Sequence, residues 1–184
     1  SCILGSIIVS IFTLGLNFFL PINVYIGNIF LFIVLILFIK IFLLEKKKLD
    51  ILIYLFLITL FATLLLSFEN INRPDAGLYH LPYIKIIQEN KIILGISNIH
   101  FRFGQVSIIQ YLSAIYNNSV MPIEAISASG AILVSGIFFY LISFFSLNYK
   151  NDRSKIIIFF ITIYSFYSFN RFSNFGNDAL AHLF

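Results

Sequence analysis

The stretch NINRPDAGLYHLPYIKIIQENKIILGISNIHFRFG, Asn70 to Gly104, decides how the rest of the chain is read. Seven of the twenty Asp, Glu, Lys and Arg side chains lie in it or at its edge: Glu69, Arg73, Asp75, Lys85, Glu89, Lys91 and Arg102. Two of the three histidines, His80 and His100, and two of the four prolines, Pro74 and Pro82, lie there as well. Around this island the chain is oily. Of its 184 residues, 60% are hydrophobic and 11% charged, with a mean hydropathy of +0.97. Ordinary soluble domains carry about 25% charged residues, so this composition excludes a soluble fold. The net charge of +4 includes no basic, aromatic-interleaved face, which argues against a nucleic-acid partner. A single cysteine, Cys2, excludes a disulfide within the chain.

Outward from the polar window, apolar runs have the length that crosses a bilayer, about 20 residues for roughly 30 Å of hydrocarbon. The spacing predicts spans over 2–20, 24–44, 49–68, 123–147 and 156–172, interrupted by Pro21 and Asn23, by Glu45–Lys48, and by Lys150–Lys155. Val106 to Tyr116 is apolar but too short to cross, and reads as an interfacial or re-entrant helix. The expected fold class is an all-α polytopic transmembrane helix bundle. Its outer loop, 69–122, carries interfacial helices, and the whole chain 1–184 forms a single membrane domain. The start without Met and the stop at Phe184 within an apolar run read as part of a longer membrane protein.

Orientation follows from the two short basic turns, Glu45–Lys48 and Lys150–Lys155, both expected on the cytoplasmic side. An even number of spans must separate them. The two spans between them satisfy that count only if 106–116 does not cross. The window and the turn Asn170–Asp178 then share the outer face.

Within the window, Arg73-Pro74-Asp75 reads as a turn, because the residue before proline avoids the helical region. An amphipathic helix follows, with Pro82 in its first turn. Leu81, Ile84, Ile86 and Ile87 form its apolar set, and Lys85, Gln88 and Glu89 lie between them. Gly95 breaks it. Asp75 and His80 suit general-base work or metal ligation, and the planar forks of Arg73 and Arg102 suit phosphate. Blander readings stand beside these. Asp75 and Asp178 are favoured helix-cap residues, the arginines suit headgroup anchoring, and His100 and His182 read as structural. Lys85, Glu89 and Lys91 read as a solvated face. With one Cys and no spaced His pair there is no zinc signature. A phosphate-cradling Gly-rich loop is also lacking.

The pattern Arg73-Pro74-Asp75, Tyr79-His80, Pro82 resembles multi-spanning bacterial proteins whose outer loop reads R-P-D-x-x-x-Y-H-x-P. A long outer loop with an early Asp, leading into interfacial helices, resembles the GT-C superfamily of membrane glycosyltransferases. Gly176-Asn177-Asp178 forms a second part of the pattern, and the resemblance covers roughly residues 50–184. It implies transfer of a sugar from a polyprenyl-phosphate donor to a lipid, glycan or protein acceptor at the outer leaflet. The implied setting is the bacterial inner (cytoplasmic) membrane, with the loop periplasmic or extracellular. It also implies Asp75, His80 and Asp178 as catalytic residues, with Asp75 and Asp178 possible ligands of a divalent ion such as Mg or Mn. Arg73, Tyr79 and Arg102 would bind substrate. GT-C proteins carry this loop after the first span, whereas here it follows the third. A transporter or flippase, or a non-catalytic envelope-assembly subunit, is the alternative. The spans are almost free of ionisable groups, which disfavours ion coupling.

Overall fold

The computed structural model describes residues 2–44, 57, 61, 76–104, 107–121, 130, 135, 136 and 152–167. All regular structure among them is helical, so the fold is all-α. The expected spans 49–68 and 123–147 lie outside the described residues, apart from isolated positions.

Helix α1 runs from Cys2 to Asn17, shorter than the expected 2–20. Its end has a local cause. The N–H groups of Phe19 and Leu20 both turn back onto the carbonyl of Leu16. Pro21 then offers no donor and holds Leu20 away from helical geometry. Helix α2, Val24–Leu44, starts after Asn23, whose side-chain oxygen accepts the N–H of Ile26 at 3.2 Å and caps the first turn. Within α2, Val24–Ile41 is long and apolar enough to cross a membrane.

The described part of the loop opens with a π-helical turn, Ala76–His80, which runs directly into α3, Leu81–Glu89. Pro82 explains the wide turn. Its ring lacks an N–H and collides with the carbonyl four residues back, so the backbone opens ahead of it. Two 3₁₀ turns follow, Ile96–Asn98 and Phe101–Gly104. Gly95 leads into the first with φ +79°, a left-handed conformation that costs glycine little. Helix α4 spans Ile108–Tyr116 and α5 spans Asp152–Tyr167. The last begins at Asp152, four residues before the expected start at Ile156.

Helix α4 is the centre of the described fold, packing against α1, α2 and α3. Tyr111 to Ile115 are all buried, so this short segment is core rather than a surface-lying helix. The core joins Ile22 from the α1–α2 turn, Tyr83, Ile84 and Ile87 from α3, Phe103, and Tyr111, Ala114 and Ile115 from α4. On α3 the buried face is Tyr83, Ile84, Ile87 and Gln88. Gln88, expected among the polar positions, therefore lies inside, and its side-chain nitrogen has no hydrogen-bond partner among the described residues.

Asn17 ties α1 to the loop. Its buried side-chain amide donates to the carbonyls of Ile87 at 3.2 Å and Asn90 at 3.0 Å, while the backbone carbonyl of Asn17 accepts the N–H of Ile92 at 3.1 Å. The N–H of Ile22 adds a bond to the carbonyl of Ile87 at 3.0 Å. At the other side, Asn28 of α2 and Ser119 exchange two hydrogen bonds, each 2.9 Å. The loop is thus fastened to the α1–α2 turn and to the first two turns of α2.

Candidate functional site

The structure brings together three of the six expected site residues: Tyr79, His80 and Arg102. The π-helical turn places Tyr79 and His80 side by side, with ring centroids 4.2 Å apart. Tyr83 packs on Phe103 at 5.7 Å, and His100 stacks on Phe101 and also meets Phe103 at 5.2 Å. His100 Nδ1 also accepts the N–H of Arg102 at 3.3 Å, the structural role its sequence setting suggests. These contacts hold the second 3₁₀ turn so that the Arg102 guanidinium lies 4.6 Å above the Tyr79 ring. A guanidinium stacked in this way keeps its in-plane N–H fork available to oxygen acceptors. Arg73, Asp75 and Asp178 lie outside the described residues; Asp75 immediately precedes the π-helical turn in sequence.

His80 is 7% exposed, and its tautomer can be argued from its neighbour. Gln110 Oε1 accepts the N–H of Ser107 at 3.3 Å, which fixes the orientation of the amide. The Gln110 Nε2 group therefore faces His80 Nδ1, at 3.4 Å. An amide nitrogen can only donate, so Nδ1 accepts and the neutral ring carries its proton on Nε2. The ring so held packs against Tyr79 and supports it. Gln110 was missed in the sequence reading. The spacing Ser107-x-x-Gln110 is a capping-box pattern that marks such a residue.

A second buried pair lies on the inner side of α3. Tyr111 and Tyr83 are hydrogen-bonded through their side chains. Burial first, then that bond and the charge of Tyr83, push the Tyr111 hydroxyl above its ordinary value of 10.0. The sign for stability follows. Above about pH 10 the unfolded chain loses this proton while the folded chain keeps it, so stability present at neutral pH falls as pH rises. Thermal unfolding followed by circular dichroism in detergent should show this alkaline loss, and Tyr111→Phe should reduce it. An unchanged alkaline slope in the variant would contradict the assignment.

Lys85 and Glu89 form an exposed pair at 3.9 Å, worth little in water. Among the described residues no group of three or more His, Cys, Asp or Glu is placed to hold a metal ion.

The geometry defines an all-α protein with a helix able to cross a membrane and a folded polar loop at one end of that helix. Residues 1–183 match the model of a domain of unknown function, DUF8201, and the chain belongs to that family. No curated protein and no solved structure matches it.

Proposed function

We propose that the protein is a polytopic membrane glycosyltransferase of GT-C type that uses a polyprenyl-phosphate sugar donor at the outer leaflet. The observation that carries the reading is the construction of the loop. Its Tyr79-His80 pair is fixed by Gln110, and its Arg102 fork is stacked over Tyr79. The motif Arg73-Pro74-Asp75 immediately precedes this cluster in sequence.

Topology supports the same reading. The loop is fastened at the Asn28 end of α2. Sixteen residues further on, Leu44 ends the helix, ~24 Å away at about 1.5 Å per residue. The basic turn Glu45–Lys48 follows at that far end. A basic turn inside and a polar loop outside is the arrangement the positive-inside rule favours. Large apolar side chains are exposed along α1, α2 and α5, such as Ile8, Phe32 and Phe160, as expected of surfaces solvated by lipid.

In the proposed reaction Asp75 takes the proton of an acceptor hydroxyl; a divalent ion, where one binds, would be held by Asp75 and Asp178 and would make that hydroxyl easier to deprotonate. The acceptor oxygen bonds to the anomeric carbon. The bond from that carbon to the phosphate oxygen breaks, and its electron pair leaves with the polyprenyl phosphate. Arg102, or Arg73, offsets that charge. The test is a transfer assay with the full-length protein in proteoliposomes, supplied with radiolabelled polyprenyl-phosphate hexose or with nucleotide-linked hexose. Consumption of the lipid-linked donor alone is expected. Consumption of the nucleotide sugar, or of neither donor across a panel of common hexoses, contradicts the proposal.

A further inference from the structure

Between the end of α1 and α3 lies a groove of about 330 Å³. Ligand pockets begin at roughly this size, about 300 Å³. Tyr83, Ile87 and Tyr111 form its buried end, and Phe18, Lys91 and Ile93 stand exposed at its rim. The side chains of Tyr83 and Tyr111 pair with each other at the buried end, and the Asn17 amide is engaged by the carbonyls of Ile87 and Asn90. Apart from Lys91 at the rim, the rest of the lining, including Leu14, Phe18, Ile86, Ile92, Ile93 and Ile96, is hydrocarbon and suits an apolar chain.

The groove is continuous with the apolar surface of α1. Ile7, Ile11, Leu14 and Phe18 fall at helical spacing on one stripe. Ile7 and Ile11 are exposed, and Leu14 and Phe18 line the groove. A hydrocarbon chain lying along this stripe enters the groove without crossing a polar surface. At the rim, Lys91 supplies a cation, while the nearby acid Glu89 is paired with Lys85. A lysine ammonium suits phosphate as a point charge.

We infer that this groove binds one acyl chain of an anionic phospholipid, whose phosphate is held by Lys91. The site is separate from the Tyr79–His80–Arg102 cluster and does not depend on the transfer reaction, so failure of either leaves the other standing. The test is native mass spectrometry of the full-length protein, delipidated and then titrated with dimyristoyl phosphatidylglycerol or dimyristoyl phosphatidylcholine. One phosphatidylglycerol per chain should be retained about fivefold more strongly than phosphatidylcholine, the preference expected of one interfacial cation. Lys91→Gln should abolish that preference. Ile93→Trp, which narrows the rim, should weaken both lipids, with the thermal unfolding of each variant showing that it is folded. Equal retention of the two lipids by the unaltered protein overturns the inference. So does retention unchanged in both variants, or displacement of the lipid by glycerol phosphate, which would make the site one for phosphate alone.

Discussion

Gly27→Ala is expected to detach the loop from α2 and to destabilise the fold by about 3 kcal/mol, the upper end for overpacking. Gly27 is buried in the second half of the first turn of α2, where the backbone of Asn117 passes directly over it. A methyl carbon at this position would land on the carbonyl oxygen of Asn117, with the carbonyl carbon at 2.9 Å and the Ile115 oxygen at 3.2 Å. Backbone on both sides leaves no flexible side-chain end to move aside. The Asn117 segment is itself pinned, because the Asn118 side chain accepts the N–H groups of Val120 and Met121 at 2.9 and 2.8 Å. The Asn28–Ser119 pair, one residue further on, would be pulled apart with it. Differential scanning of the detergent-purified variant should show Tm lowered by roughly 6–12 °C, at about 2–4 °C per kcal/mol for a chain of this size. An unchanged Tm would mean that α2 and α4 do not meet as described.

Asp75→Asn is expected to lower sugar transfer by about 10²–10⁴-fold, the range for loss of a general base. Asparagine keeps the shape and can still cap a helix, so expression and Tm should hold while kcat falls. This separates the catalytic reading from the capping one. A capping residue replaced by Asn, itself a favoured cap, would change neither quantity. Transfer retained in full by the variant removes Asp75 from the chemistry.

The sequence made the punctuation of the chain legible. Pro21 and Asn23 separate α1 from α2 because proline and an Asx cap act locally, and Gly95 opens the 3₁₀ turns for the same reason. The run Val24–Leu44 is uniform enough to be read as a helix from hydropathy alone. Burial inside the loop was much less legible. Gln88 faces the core although its side chain is polar, because the buried arc of α3 is set by α4 and not by α3's own pattern. Tyr83 was passed over because tyrosine is common throughout the chain. The polar series Ser10, Thr13 and Asn17 is buried and falls at helical spacing within α1. The hydroxyls of Ser10 and Thr13 bond back to carbonyls four residues earlier. Such a stripe in an apolar helix marks the face that meets protein, and it was readable in principle. Of the candidate site, Tyr79 and His80 could be named from the motif and Arg102 from its guanidinium in the polar window, but not the amide that fixes the histidine, since Gln110 lies thirty residues away along the chain.

The proposed reaction requires sidedness: positions 75 and 178 must share the outer face, with the basic turn on the other. Cysteine-accessibility labelling tests it directly. In a Cys2→Ser background, single cysteines at positions 47, 75 and 178 would be treated in intact cells with a membrane-impermeant maleimide. Positions 75 and 178 should label from outside, and position 47 only after permeabilisation. Labelling of 75 and 178 from opposite sides would contradict the account.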